Sequence, residues 1–286
     1  DAQESRGLGD VYKRQFEKQS ESNATWALSP RYPYSPHINA GAGGYFAPFI
    51  REYIRRYDAP EHIGWKVAVK DRLNALKNPL AHLHIPGIDE KMVSDTPMLW
   101  EPLRYLESCP SSDGACAMVI TSKDLVGSRD VAWIKGMAVR SEGTLSAGRD
   151  EVNPQAGIDC AKDIYDQAGI TNPYKEIDCA EIYVPFSWYE PMWLENLGFC
   201  DLGEGWKLTD KDATAIDGEM PFNMSGGVMS SNPIGASGMI RFGEAALQVM
   251  GKANDHQVED AKVAMGHAYG GAAQFFAMWI VSSSLD

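Results

Sequence analysis

The stretch Asn223-Met-Ser-Gly-Gly-Val-Met-Ser-Ser-Asn-Pro-Ile-Gly-Ala-Ser-Gly238 places four glycines in a loop that starts a helix at about Pro233. Such a loop brings bare backbone amides and the positive end of a helix dipole to one point, an arrangement that holds an oxyanion or a phosphate. The same glycines would serve a tight left-handed turn with close helix packing, and the loop alone does not choose between the two. The cysteines are Cys109, Cys116, Cys160, Cys179 and Cys200: odd in number, widely spaced and never in a C-x-x-C pair. That pattern argues against a disulfide framework and a zinc ribbon, and for a reducing cytoplasm. Among the histidines only His82-x-His84 approaches metal-ligand spacing, and it reads as loop decoration rather than a metal site.

The elements that would carry these residues alternate between helix and strand. Phe46, Phe49, Ile50, Tyr53, Ile54 and Tyr57 recur at spacings of three and four, which predicts an amphipathic helix over 45–57. A second helix is expected from about Glu61 to Leu76, with Val67, Leu73 and Leu76 inward, Lys66, Lys70, Arg72 and Lys77 outward, and Asn78-Pro79 as its stop. Residues 115–121 and 130–139 read as strands bounded by Asp113-Gly114, Gly127 and Gly143. After a polar hinge over 141–153, Pro154 to Gly169 reads as a helix with Pro at its first turn and Gly at its stop. A strand over 177–183, a helix over about 187–197 and a helix ending near Gly251 follow. Two apolar runs, 261–266 and 272–281, close the chain as adjacent strands joined at Gly270-Gly271. The class is α/β.

Composition bounds the partners. With 26 Lys and Arg against 39 Asp and Glu, the net charge of −13 offers no global footprint for nucleic acid or an anionic membrane surface. The longest apolar run, 272–281, is too short for a membrane span, and the N-terminus lacks a signal-peptide layout. Residues 1–15, polar and aperiodic, read as a non-native lead-in that packs against nothing. The chain begins without Met, so a longer parent is one reading.

Several segments, taken in order, resemble one family. Gly226-Gly227 followed by Asn232-Pro233-Ile-Gly-Ala-Ser-Gly238 resembles the thiolase signature N-x-x-G-G…G-H-P-x-G-A-S-G. Ser108-Cys-Pro-Ser-Ser-Asp-Gly-Ala-Cys-Ala-Met-Val-Ile-Thr-Ser122 is similar to the thiolase segment C-P-x-S-D-G-A-A-A. Val67 to Pro79 and Glu195 to Gly205 resemble the sterol-carrier and lipid-transfer branch. The resemblance covers most of residues 25–286. It implies a thiolase fold with mixed sheets in α-β-α-β-α layers and an incomplete first half-domain. On that basis 16–140 is a partial N-terminal half with an inserted loop domain, and 141–286 is the C-terminal domain.

The resemblance also shows departures. The acyl-accepting cysteine of the family lies upstream of this chain, and Cys109 and Cys116 read as small core residues. Asn232 stands where the family has the G-H-P histidine, Tyr183-Val-Pro-Phe186 where it has H-E-A-F or H-D-C-F, and His267-Ala-Tyr-Gly-Gly271 where it has C-x-G-G-G. The implied catalytic set is therefore Tyr183, Asn232, His267 and Tyr269, converging on one pocket. The alternative for each ring is ordinary packing with its polar atom satisfied. A histidine with tyrosines can run acid–base chemistry without a cysteine, as the family's retro-aldol relatives are thought to do. On this reading His267→Ala costs turnover about a hundredfold, and Asn232→Ala less.

The substrate implied is a coenzyme A thioester, with no tightly bound cofactor. Gly226, Gly227, Gly235, Ser237, Lys70 and Arg72 are its expected contacts, within a basic concentration that also holds Arg51, Arg55, Arg56, Lys66 and Lys77. Solvated helix faces explain any single one of these charges equally well. The expected activity is carbon–carbon bond formation or cleavage in an acyl-CoA, by a thiolase-like acyltransferase or a retro-aldol lyase. The alternative is a non-catalytic scaffold or lipid-transfer subunit. A homo-oligomer and a small OB-fold, zinc-ribbon acyl-CoA-binding partner are implied by the same branch.

Overall fold

A computed structural model describes residues 41–143, 148–271 and 273–285. The expectation for residues 1–15 lies outside the described residues. The chain enters through helices α1 (Gly41–Tyr57), α2 (His62–Ala75) and α3 (Glu90–Ser94), followed by the two-stranded antiparallel ribbon β1 (Met98–Trp100) and β2 (Leu103–Arg104). After an irregular stretch come β3 (Trp133–Ser141), α4 (Gln155–Ala168), α5 (Pro173–Glu176), β4 (Cys179–Glu181), α6 (Tyr189–Asn196) and α7 (Gly205–Asp210). The chain finishes with α8 (Gly227–Ser230), α9 (Ser237–Val249), β5 (Val263–Gly270) and β6 (Phe275–Ser282).

The main sheet runs β3-β6-β5-β4 and is mixed: β4 is parallel to β5, while β5–β6 and β3–β6 are antiparallel. The strand period of two sends its residues to two different cores. Met265, Phe276, Met278 and Ile280 face one core with Cys160 and Ile164 of α4 and Trp193 and Leu194 of α6. Ala264, Trp279, Val281 and Cys179 face the other, with Ala245 and Val249 of α9. The result is a helix–sheet–helix sandwich, each face closed by helices as a half-parallel sheet requires. Gly266 makes room for the indole of Trp279, whose Nε1 would lie 1.9 Å from a Cβ built there.

Two expectations change. On α2, Arg72 is 1% exposed, while Leu73 and Leu76 are 42% and 39% exposed, the reverse of the sequence reading. The buried stripe is Ile63, Gly64, Val67, Ala68, Asp71, Arg72, Asn74 and Ala75. It is selected by small residues that admit close neighbours and by polar groups that find partners inside. Residues 115–121 form no strand: they run as an irregular segment with Val119 93% and Ile120 73% exposed. β-propensity needs a neighbouring ladder, and no strand among the described residues pairs with this segment.

Candidate functional site

A cleft of about 740 Å³ opens where the C-terminal end of β5, the segment after β4, the loop before α9 and residues 105–111 meet. Cys109, Tyr183, Asn232 and Tyr269 all line it. Four segments far apart in sequence thus supply the polar groups of a single wall.

Asn232 is the best-anchored of them. Pro233 follows it and accepts the N–H groups of Ala236 and Ser237, which opens α9 directly behind it. Its backbone N–H donates to Ser112 Oγ at 3.0 Å, and its carbonyl accepts the Ser112 N–H at 3.3 Å. The side-chain Oδ1 accepts two hydroxyl donors, Ser237 Oγ at 2.7 Å and Tyr183 Oη at 3.1 Å. With both lone pairs of Oδ1 occupied, the amide orientation is fixed by its partners, and Nδ2 turns toward Cys109 Sγ at 3.1 Å. One Nδ2 hydrogen serves that contact. The second has no protein partner among the described residues, and Asn232 lines the cleft.

Tyr183 follows β4 directly. Its backbone N–H donates to His267 Nδ1 at 3.3 Å, and its carbonyl accepts from Trp193 Nε1 at 2.9 Å, so the residue is held by its main chain. Its ring meets Tyr269 edge-on at 5.3 Å, and Tyr269 stacks on Tyr189 at 5.7 Å and packs against Trp193 at 5.1 Å. Burial pushes both phenols above their ordinary range, so each is a hydrogen-bond donor and not a phenolate near neutral pH. Burial also pushes the Cys109 thiol up to about 11, against the opposing influence of the Asn232 amide and Arg72. This thiol stays protonated and is a weak nucleophile.

His267 does not project into the cleft. It is fully buried, with its ring between Trp193 at 5.3 Å and Phe276 at 5.9 Å. Residues 265, 267 and 269 share a face of β5, yet only Tyr269, nearest the strand end, reaches the opening. The Trp193 indole covers the position one pleat earlier. Burial holds the His267 pKa down to about 3. The neutral ring accepts the Tyr183 N–H at Nδ1 and has an unpartnered Nε2. The geometry makes it a support for Tyr183. Because the folded pKa lies below the unfolded value of 6.5, the unfolded chain takes a proton first as pH falls. The stability contribution is therefore full above pH 6.5 and is lost progressively toward pH 3. His267→Gln keeps an acceptor and does not titrate. We expect the urea midpoint of the variant to fall less steeply over that window than that of the wild type, and parallel profiles would contradict the burial argument.

Of the remaining sequence candidates, only Arg72 lines the cleft. Gly226 has φ +89° and packs on Ala75 of α2, where an added Cβ would come within 2.5 Å of the Ala75 Cβ. Gly227, at φ +57°, packs on Asn223. Neither lines the cleft. Gly235 is exposed at the start of α9, and Ser237 holds Asn232 as described. Lys70 pairs internally with Glu190 and with Asp71. Burial works against its charge, but those carboxylates more than offset it and raise its pKa. Arg72 lines the cleft from inside, bonded to backbone carbonyls. Sequence reasoning missed Cys109, read as core, and Ser112, which fixes the Asn232 backbone. Their distance of more than a hundred residues from Asn232 left no spacing signal. Among the described residues no group of three His, Cys, Asp or Glu side chains could hold a metal ion, and no helix is long and apolar enough to cross a membrane.

A mixed sheet between helices, with an asparagine-bearing loop leading into the helix that covers it, defines a thiolase-type C-terminal domain. The family model described as thiolase C-terminal domain-like matches residues 138–283. The chain belongs to the thiolase family, on the branch that includes sterol carrier protein 2. It is 31% identical over 242 residues to the acetyl-CoA acetyltransferase of Methanothermobacter thermautotrophicus, covering 83% of this chain and 62% of that protein. It is 30% identical over 250 residues to sterol carrier protein 2 of Homo sapiens, covering 84% of this chain and 44% of that protein. The chain therefore spans only part of the length of these relatives. Among solved structures, the Ltp2-ChsH2(DUF35) aldolase superposes with a TM-score of 0.78 at 24% identity, over 93% of this chain and 68% of that one, which shows a common fold.

Proposed function

We propose that the complete protein makes or breaks a carbon–carbon bond in an acyl-CoA thioester, and that the cleft binds the thioester carbonyl. The observation that carries this reading is the Asn232 amide on the cleft wall, with Oδ1 held by two hydroxyls and Nδ2 directed to Cys109, which lines the same cleft. A preorganised donor of this kind lowers the energy of an enolate oxygen without reorganising when the charge appears. Tyr183 and Tyr269, both protonated and both on the cleft wall, supply hydrogen bonds and a proton to the enolate carbon. In the cleavage direction the hydroxyl proton of a β-hydroxyacyl thioester passes to water in the cleft, the Cα–Cβ bond breaks, and a carbonyl compound departs; that proton returns through water to the tyrosine that protonates the enolate carbon. The enolate left behind is protonated to a shorter thioester. The condensing direction reverses these events.

The high Cys109 pKa and the two phenols support the cysteine-independent, retro-aldol chemistry over acyl transfer to a thiol within this chain. We read residues 16–140 as part of an N-terminal half and 141–286 as the C-terminal domain, supported by the match over 138–283. The name of the Ltp2-ChsH2(DUF35) aldolase, which joins two components, supports a small acyl-CoA-binding partner subunit, and the thiolase fold supports a homo-oligomer. The five cysteines are free, which supports a reducing, cytoplasmic setting.

The test is to express the full-length protein, alone and with its partner, and to follow acetoacetyl-CoA with free CoA and a 3-hydroxyacyl-CoA by mass spectrometry. We expect chain shortening of the hydroxyacyl thioester. Binding of both thioesters without turnover would select the non-catalytic scaffold, and absence of binding would end the thioester reading.

A further inference from the structure

Among the described residues the cations with little exposed side chain, Arg72 apart, are neutralised where they sit. Arg241 pairs with Glu181, Lys70 with Glu190 and Asp71, and Arg149 with Glu142. Arg72 differs. It is 1% exposed, and no carboxylate among the described residues lies within ion-pair distance of it. Its sequence neighbour Asp71 turns instead to Lys70 at 3.2 Å and Asn223 at 3.3 Å.

The guanidinium is held by dipoles alone. Nη1 donates to the Met229 carbonyl at 3.0 Å, and Nη2 donates to the carbonyls of Leu106 and Ser108, both at 3.0 Å, while Nε has no partner. These acceptors belong to the two segments that carry Asn232 and Cys109, so one side chain straps both together at the cleft wall. A buried cation without an ion-pair partner is expensive to keep even where a carboxylate such as Asp71 acts on it from further off, and such groups concentrate where a charge is used. Guanidinium cannot shed its proton to escape that cost.

We propose that Arg72 supplies a fixed positive charge to the Asn232–Cys109 end of the cleft, making it a subsite for a single oxyanion, the enolate of the thioester or a carboxylate in its place. The proposal rests on the cleft being a CoA-thioester site. The chemistry of the wall sets the class of anion. Arg72 is the one cationic side chain of that lining, beside the Asn232 amide and the phenols of Tyr183 and Tyr269 and among the apolar Leu106, Phe186 and Ile234, which suits a single delocalised charge better than a doubly charged phosphate. Cys109, adjacent to the Ser108 carbonyl that Arg72 holds, is close enough for its thiol to feel the same charge.

Titration calorimetry on the full-length protein tests this with two CoA derivatives of equal shape, S-carboxymethyl-CoA and S-carbamoylmethyl-CoA, which differ by one charge. We expect the wild type to prefer the carboxylate by about tenfold or more, since charges a few ångströms apart in a poorly solvated site interact strongly. We expect the preference to survive high salt because the site is shielded from counter-ions. Arg72→Met loses the preference, read as the ratio of the two affinities within the same variant, and Arg72→Lys retains part of it. Equal binding of the two compounds by the wild type overturns the anion subsite and leaves the thioester site standing. Failure of both to bind overturns the thioester site itself. A folded Arg72→Met protein that keeps the preference removes Arg72 from the subsite. If that variant does not fold, the wild-type comparison still decides whether the subsite exists.

Discussion

If the proposed thioester chemistry holds, Asn232→Ala in the full-length protein should lower turnover by about a hundredfold to a thousandfold, with a smaller change in KM, the scale seen when one oxyanion donor is removed. The size follows from how the amide is held. Its Oδ1 is pinned by Tyr183 and Ser237, and its main chain by Ser112, so the amide is held in place before substrate arrives. Truncation removes that donor and also frees the Tyr183 hydroxyl from its partner. Steady-state kinetics of Asn232→Ala beside His267→Gln checks the argument. The histidine variant should cost less than about tenfold, because a neutral ring behind Tyr183 and Trp193 is out of reach of the substrate as an acid or base. This reverses the order that the sequence suggests. A His267→Gln enzyme that is inactive while Asn232→Ala remains fast would return the proton chemistry to the histidine.

Arg241→Met destabilises the fold by about 3 to 5 kcal/mol, the cost of leaving one member of a buried ion pair alone. Arg241, on α9, pairs with Glu181 at the end of β4, and Ser225 Oγ accepts from Arg241 Nη1 at 2.9 Å while donating to Glu181 Oε2 at 2.9 Å. The Ser225 N–H reaches the other carboxylate oxygen at 2.9 Å. Without Arg241 the Glu181 carboxylate keeps two donors and loses its counter-charge. Burial already pushes its pKa up, with Arg241 opposing. The deficit should shrink as pH falls and Glu181 protonates, and Glu181→Gln added to Arg241→Met should restore much of the loss. Urea unfolding of the single and double variants measures both effects. A single variant with the wild-type midpoint would show that this pair does not hold α9 to β4. The pair also matters for the site, because Glu181 lies two residues before Tyr183 and α9 begins five residues after Asn232.

Much of the fold is legible in local sequence. The 3.6-residue spacing of Phe46, Ile50 and Tyr53 gives α1, Pro154 and the left-handed Gly169 bracket α4, and the paired apolar runs give the β5–β6 hairpin. The failures share one physical cause, dependence on a neighbour. Residues 115–121 have strand composition and no adjacent strand among the described residues, so their propensity finds no ladder. Leu73 and Leu76 are good core residues facing outward, because Gly226 brings its loop against Ala75 and draws the small-residue side of α2 inward.

The sequence by itself determined the order of the elements, the glycine-bearing loop that leads into α9 and, through its motifs, the family. These are encoded by residues near one another or by an ordered string that survives without coordinates. Only the tertiary structure decided which groups face the cleft. Tyr269 and His267 lie on the same side of β5, and only Tyr269, one pleat nearer the strand end, reaches the opening, while His267 is enclosed by the rings of Trp193, Phe276 and Tyr269. Cys109 and Asn232 meet at 3.1 Å across more than a hundred residues, and Arg72 becomes an internal charge because its three carbonyl partners arrive from two other segments. Local spacing fixes which face of its own element a side chain occupies. What covers that face, and so whether an imidazole titrates or a guanidinium stays unpaired, depends on packing between elements that no local pattern specifies.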